Sequence, residues 1–386
     1  MLLPMGTIVW VEIDSEAPDW NLRELRSCSS GRRIFCAVVK GNAYGHGVEE
    51  IVRLLPSADW FGVNSLDEGL QLRQLGVERP ILLVGHVELD RLDEALDADL
   101  RLTVYNGDTL ERLRKLAGPD RPARLHLMVE TGTWRQGVPP EQAVAFAREA
   151  LSIPGVELEG VSTHYANIED TLNHNYANAQ LERFREAVEL LAEAGIDPPV
   201  KHTACTAATI LFEKTHFDMF RAGVGIYGLW PSRETYLSAI SSGRPVPELR
   251  PVLSWKTRIA QLKEVPAGSY VGYGCTYRTT RRTLMAVLPV GYADGYDRAL
   301  GNRAWVLVRG RRAHLMGRVC MNLIMVDVTD VPGVSLEDEV VLLGRSGDEE
   351  ITAETMADWA GTINYEVVTR ISPLLTRKVV GSRGEG

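Results

Sequence analysis

The sequence predicts an α/β protein with an N-terminal (β/α)8 TIM-type barrel followed by a mainly-β C-terminal domain. Three observations lead there. Eight short apolar runs alternate with amphipathic segments between residues 33 and 223, the rhythm of a parallel barrel. After Trp230 the rhythm changes to strand-like runs without long intervening helices. No GxGxxG opens the first strand–helix turn, which argues against the runner-up, an open doubly wound sheet.

The eight runs are 33–40 (RIFCAVVK), 60–63 (WFGV), 80–85 (PILLVG), 100–105 (LRLTVY), 124–130 (RLHLMVE), 156–165 (VELEGVSTHY), 199–205 (PVKHTAC) and 217–223 (FDMFRAG). Segments between them, such as SLDEGLQLRQLG and NAQLERFREAVELLAEAG, carry apolar residues at three- and four-residue spacing and read as helices. SSGRPVPELRP reads as a linker. Beyond it LSWKTRIAQLKEV, TLMAVLPVGY, RAWVLVRG, NLIMVDV and DEVVLLG read as strands. The division expected is 12–240 for the barrel and 241–386, with 1–11, for the β-rich domain.

Composition bounds the function. The chain has 386 residues and a formal charge of −9, with 45% apolar and 24% charged residues. Those proportions suit a folded globular protein of two domains. An acidic balance without a basic arm argues against nucleic acid or an anionic membrane as partner. The start of the chain has neither a basic n-region nor a long apolar core, and no run is long enough to span a bilayer. Five dispersed cysteines without a CxxC pair fit a reducing compartment. A cytoplasmic protein without a bound metal is therefore expected.

In such a barrel, chemistry sits where strands end. Lys40 follows a buried run and opens KGNAYGHG. Desolvation there favours a neutral amine able to form a Schiff base with a carbonyl; a lysine at a strand terminus can equally snorkel to solvent. Arg135, His164, Thr206 and Arg221 follow or end later runs. CTAAT and RAGVGIYG, after runs seven and eight, offer a hydroxyl and glycine-rich backbone for a phosphate. Read separately, the same residues are turn glycines, an N-cap threonine and an ion-paired arginine. Together with a Schiff-base lysine they point to a phosphorylated aldehyde, of which pyridoxal phosphate is the common one. Arg221 beside the ring nitrogen would disfavour its protonation. Tyr44, Tyr273, Tyr292 and Tyr365 each stand beside glycine or in a short polar motif, and Tyr273 is a candidate acid/base.

AVVKGNAYGHG (37–47), FRAGVGIYG (220–228), VGYGCTY (271–277), PVGYADGYDR (289–298), GRVCMN (317–322) and INYEVVTRIS (363–372) together resemble the alanine racemase family, pyridoxal-phosphate enzymes of fold type III. The resemblance implies a homodimer that interconverts L- and D-alanine and supplies D-alanine for peptidoglycan. It implies Lys40 as cofactor lysine and base for one enantiomer, and Tyr273, reaching across the dimer, as base for the other. By the same carry-over Tyr44, Thr206, Gly223, Val224 and Tyr365 hold the phosphate. His164 lies near the ring, Arg221 meets the pyridine nitrogen, and Arg135 supports Tyr273. Met321 lines the substrate carboxylate site, and Tyr292, Arg298 and Arg318 flank the access channel. The family's Lys-x-Asp-Thr-Gly-Met-x-Arg motif, whose lysine is often carbamylated, here has Met128 and Glu130, with Trp134 before Arg135. Asn322 stands for a usual Asp and Gly272 for a common Ser.

Three rivals share parts of this pattern. A broad-specificity or serine-preferring racemase shares the motifs, and a fold-type III decarboxylase shares the architecture but not VGYG and NYEVV. A non-catalytic pyridoxal-phosphate binding protein would need the barrel alone.

Overall fold

The computed structural model describes residues 8–381; residues 1–7 of the segment expected to join the second domain lie outside them. Two compact units result. One runs over Pro18–Gly41 and Val52–Arg250; the other comprises the described residues up to Ala17, the stretch Asn42–Ile51 and those from Pro251 onward.

The first unit is a nearly closed parallel barrel. Its strands are β1 (Ile34–Val38), β2 (Trp60–Val63), β3 (Ile81–Leu83), β4 (Leu100–Val104), β5 (Ala123–Met128), β6 (Val156–Ser162), β7 (Val200–His202) and β8 (Met219–Ala222). Each pairs with its neighbour in order, and β8 pairs back onto β1. The remaining seam, β7 to β8, is bridged by Asp218 N–H to Lys201 O (3.0 Å) and Arg221 N–H to Ala204 O (2.9 Å). All eight runs of the sequence became these strands because they are buried on both faces, where apolar continuity rather than alternation is required.

Helices cover the barrel. Ser65 and Glu68 cap the helix Leu66–Gln74 reciprocally, satisfying amides that would otherwise lack partners. The helix Asn175–Glu193 turns Ala177, Leu181, Phe184, Ala187 and Leu191 inward. Burying each of its Leu and Phe side chains contributes roughly 1.5–3 kcal/mol.

The second unit is built on a seven-stranded sheet. Its path runs Arg311–His314, Trp305–Val308, Glu339–Ser346, Leu253–Arg258, Val9–Asp14, Thr376–Val380, with Glu349–Ile351 pairing off Glu339–Ser346. The first strand, Val9–Asp14, lies antiparallel to Leu253–Arg258 and parallel to Thr376–Val380. A three-stranded sheet of Gln261–Val265, Thr283–Leu288 and Ile324–Asp327 and a short hairpin, Tyr270–Val271 with Tyr277–Arg278, complete the β structure. Two helices the strand reading did not single out, Ala353–Ala360 and Asn364–Thr369, precede the last strand. Among the described residues no helix is long and apolar enough to cross a membrane.

Candidate active site

The barrel mouth gathers the charged groups. β1 ends at Val38, Val39 N–H donates to Gly62 O (2.8 Å), and Lys40 follows. Burial and the Arg135 cation lower the Lys40 pKa below the ordinary lysine range, and Glu68 opposes them. Glu68 is already the capping residue at the exit of β2, accepting from Asn64 N–H (2.7 Å) and Ser65 N–H (3.2 Å) through Oε2. Its Oε1 accepts from Gly41 N–H at 2.6 Å, so one carboxylate joins the exits of β1 and β2.

Directly after Lys40 the backbone turns left-handed. Gly41, Asn42, Ala43, Tyr44 and Gly45 have φ of 63, 53, 53, 52 and 83°. The left-handed helical conformation costs L residues roughly 1–2 kcal/mol each, so three consecutive non-glycine residues there need strong local restraint. Asn42 Oδ1 accepts from Val48 N–H (2.9 Å), and Asn42 O from Gly47 N–H (3.0 Å). His46 donates Nδ1–H to Ala43 O (3.1 Å) and Tyr44 O (3.0 Å). Burial holds the His46 pKa down at about 4, so at neutral pH the ring is an uncharged donor. Gly45 lies against the Asn364–Thr369 helix so closely that a Cβ would come within 1.9 Å of Val368 O. The turn brings Tyr44 to Tyr365, with ring centroids 6.1 Å apart.

Arg221, on β8, has no carboxylate partner among the described residues. Nη2 donates to Thr163 O (2.7 Å) and Thr203 O (3.2 Å), and Nη1 to His202 O (3.0 Å) and His202 Nδ1. Burial lowers its pKa, yet a guanidinium in a protein stays cationic. His164, past β6, is driven down to about 3 by burial and by the Arg221, Arg135 and Lys40 cations. It is therefore neutral at physiological pH. Its carbonyl accepts from Thr133 Oγ1 (2.6 Å) and Gln180 Nε2 (3.2 Å).

The exits of β7 and β8 interlock. Thr206 Oγ1 accepts from Gly223 N–H (3.1 Å). Gly225 packs on the Thr206 methyl, where a Cβ would lie 2.6 Å from Cγ2. Tyr227 Oη–H donates to Val38 O (3.0 Å), tying the loop to β1.

After β5, Glu130 Oε1 accepts from Gly132 N–H (2.5 Å) and Thr133 N–H (2.6 Å), and Oε2 from Arg135 N–H (3.2 Å). The carboxylate where the family has Asp thus folds the Arg135 turn around itself. Met128 takes a weak bond from Ser162 Oγ (3.5 Å to Sδ). Among the described residues no carboxylate pairs with the Arg135 guanidinium. Trp134, at φ 54°, is 83% exposed and turned out to solvent.

In the second unit Tyr273 stands in the turn of the short hairpin, 75% exposed. It is flanked by Gly272 and Gly274 at φ 74 and 78°. A Cβ on Gly272 would lie 2.9 Å from Met325 Cε, and one on Gly274 2.8 Å from the Arg318 guanidinium. Glycine in place of the family's serine therefore suits this backbone. Tyr273, Tyr292, Arg298, Arg318 and Met321 line one open cleft of about 640 Å³, with Asn322 beside them. Tyr292 N–H donates to Cys320 O (3.1 Å) and Ala293 N–H to Met321 O (3.0 Å), locking two walls together.

The residues singled out in the sequence thus fall into three groups. Lys40, Arg135, His164, Thr206, Arg221, Gly223 and Val224 stand at the strand exits of the barrel; Tyr44 meets Tyr365; Tyr273, Tyr292, Arg298, Arg318 and Met321 share the cleft. A poised lysine, a cation held by carbonyls and imidazole, and hydroxyl and glycine donors form a set that fits a phosphorylated pyridine aldehyde. Sequence reasoning missed Glu68, Gln180, His126, His202 and Glu159. The last three stand on β5, β7 and β6, and their runs RLHLM, VKH and VELEG read separately give no sign that the side chains meet.

Comparison with known proteins agrees over nearly the whole chain. Residues 13–231 match the alanine racemase N-terminal domain family, and residues 252–379 the alanine racemase C-terminal domain family. An alanine racemase of Symbiobacterium thermophilum is 43% identical over 371 residues, covering 95% of this chain and 96% of that one. One of Leptospira interrogans is 39% identical over 376 residues, covering 96% and 95%. Among solved structures, the alanine racemase of Bacillus anthracis with bound L-Ala-P superposes with a TM-score of 0.91 at 35% identity, covering 98% of this chain and 97% of that chain.

Proposed function

Because the chain belongs to the alanine racemase family of pyridoxal-phosphate-dependent racemases, we propose that it interconverts L- and D-alanine by a two-base mechanism using Lys40 and Tyr273. The observation that carries this reading is the barrel mouth itself. A lysine pushed toward its neutral form shares it with the Arg221 guanidinium, which no carboxylate among the described residues neutralises.

Pyridoxal phosphate, when bound, supplies an aldehyde that condenses with amines and a conjugated ring that takes up the electron pair left as Cα loses its proton. Lys40 holds it, and as a neutral amine Nζ moves the proton on one face of Cα. Tyr273 of the second subunit of a homodimer holds or gives the proton on the opposite face, so neither group has to swing around the substrate. Arg221 would set its charge against the pyridine nitrogen and disfavour a proton there, limiting delocalisation and side reactions. His164, neutral, would bond near the cofactor oxygen or ring.

Thr206, Gly223, Val224, Tyr44 and Tyr365 hold the phosphate through hydroxyls and backbone amides. Arg135 supports the phenol, and the Met321 backbone receives the substrate carboxylate. Tyr292, Arg298 and Arg318 flank the access channel. In this reading the domain 12–240 carries the cofactor, and 241–386 with 1–11 carries the second base. The product is D-alanine for peptidoglycan, made in the cytoplasm.

The test is D-alanine formation from L-alanine by the purified protein with saturating cofactor, with Tyr273→Phe as control and serine and lysine alongside. Faster turnover of serine or lysine replaces alanine with a broader substrate class. Absence of turnover of all three overturns the catalytic reading in favour of cofactor binding alone.

A further inference from the structure

One polar line crosses the apolar interior of the barrel, away from every residue assigned a role above except Arg221. His202, at the end of β7, and His126, on β5, are 1% and 0% exposed. His126 Nδ1 lies 2.8 Å from His202 Nε2, and His126 Nε2 lies 3.2 Å from Glu159 Oε2 on β6. At the mouth Arg221 Nη1 meets His202 Nδ1. At the other end Glu159 is 3.4 Å from Arg101 Nε, and Arg101 pairs with Asp99 at 2.9 Å.

The barrel is shaped around this line. Gly160 leaves room for the His126 ring, since a Cβ there would stand 2.2 Å from Nδ1, and the β5–β6 register slips between Leu125 and His126. Among the described residues no group of histidine, cysteine and carboxylate side chains is placed to hold a metal ion.

The two ends of the line dictate its proton arrangement. A guanidinium only donates and a carboxylate only accepts. His202 Nδ1 facing Arg221 must therefore be bare, leaving its proton on Nε2, which donates to His126 Nδ1. His126 then carries its proton on Nε2 and donates to Glu159. Any other tautomer sets two N–H groups or two lone pairs against each other. Burial and the Arg221 cation also hold both imidazoles below their usual pKa, so both are neutral.

We propose that His126 and Glu159 are positioning residues for Arg221: the carboxylate sets one N–H direction through both imidazoles and so presents a bare His202 Nδ1 to the guanidinium. The task of that guanidinium rests on the reading under Proposed function. A carboxylate paired directly with Arg221 would neutralise it. The same anion acting through two neutral rings orients the guanidinium and leaves its charge facing the mouth, where the remaining bonds go to the carbonyls of Thr163, His202 and Thr203.

Nitrogen-15 NMR of the histidine-labelled holoenzyme tests this. Both histidines are expected to show a bare Nδ1 and a protonated Nε2. Glu159→Leu is expected to scramble the His126 and His202 tautomers and lower kcat about tenfold, with little change in KM for alanine. Glu159→Gln, which keeps an acceptor oxygen, restores the wild-type pattern. An Nδ1–H signal from either histidine in the wild type overturns the proposal, and that spectrum needs no variant to fold. So do unchanged His202 signals and kcat in Glu159→Leu. A wild-type protein with the expected tautomers but no racemisation refutes the racemase reading and leaves the ordered line standing.

Discussion

Gly45→Ala offers a measurable handle on the left-handed turn behind Lys40. Gly45 has φ 83°, and an added Cβ would come within 1.9 Å of Val368 O, 2.8 Å of Val368 C and 3.1 Å of Thr369 Cα. All three are backbone atoms, so no side-chain rotation relieves the contact. Gly76 provides a matched control: its φ is 82° and nothing lies within 4 Å of a Cβ built there. Gly76→Ala should therefore cost the conformational term alone, about 1 kcal/mol. Gly45→Ala should add an overpacking cost of roughly 1–3 kcal/mol as the helix Asn364–Thr369 is pushed away. Urea unfolding of the two variants, compared at matched m-values, reads the difference directly. Because the displaced helix carries Tyr365, pyridoxal phosphate affinity by equilibrium dialysis should fall in Gly45→Ala and stay unchanged in Gly76→Ala. Equal destabilisation by the two substitutions would refute the claim that the turn is held by close packing rather than by glycine's freedom alone.

Borohydride reduction of the cofactor-loaded protein followed by peptide mapping should place the label on Lys40, and label on another lysine would remove it from the assignment. Tyr273→Ala should slow loss of the Cα hydrogen from L-alanine far more than from D-alanine, measured by deuterium exchange; equal slowing contradicts its place as one of two facing bases. His46 carries a pH signature. It titrates near 6.5 in the unfolded chain and at about 4 in the folded one, so between those values the unfolded state holds more protons. Stability is full above pH 6.5 and falls as pH drops toward 4, by about 3 kcal/mol from this group. In His46→Gln, whose amide can still donate to Ala43 O and Tyr44 O, the slope of stability against pH over that window should be shallower. An unchanged slope would show that His46 charges freely in the folded protein.

The barrel was legible because burial on both faces leaves an apolar run wherever a central strand lies, and runs such as WFGV and PILLVG have few other uses. Lys40 and Arg221 were legible for a related reason, since a charge at the end of such a run needs a task or a partner. Helix Ala353–Ala360 was not, because its short span carries few apolar repeats. Glu68 was hidden by its ordinary appearance: S-L-D-E is a capping box in sequence, and only the fold shows its second oxygen taking Gly41 N–H. His126, Glu159 and His202 escaped because their significance is three-dimensional. They stand on β5, β6 and β7, and no spacing along the chain records that their side chains meet. The same holds for the left-handed turn, in which Asn42, Ala43 and Tyr44 adopt a conformation their residue types do not favour; the restraint comes from His46, Val48 and the helix more than three hundred residues away.

The departures from the family motif are absorbed locally, and the way they are absorbed says what each position needs. Glu130 is one methylene longer than the aspartate it replaces, and that reach lets both of its oxygens turn back onto the amides of Gly132, Thr133 and Arg135. A carboxylate already taking three amide hydrogens is committed to the backbone, so it orders the turn that carries Arg135 instead of neutralising the guanidinium. Met128 cannot take up a negative charge either, and lies buried against Ser162. Trp134 points into solvent at positive φ. The position of Arg135 is therefore set through its main chain, while its charge remains available to Lys40, whose pKa it lowers. In a chain with a carbamylated lysine at position 128, that repulsion would be partly offset. Here it reinforces burial, and the two act in the same direction, toward the neutral form of the Lys40 amine.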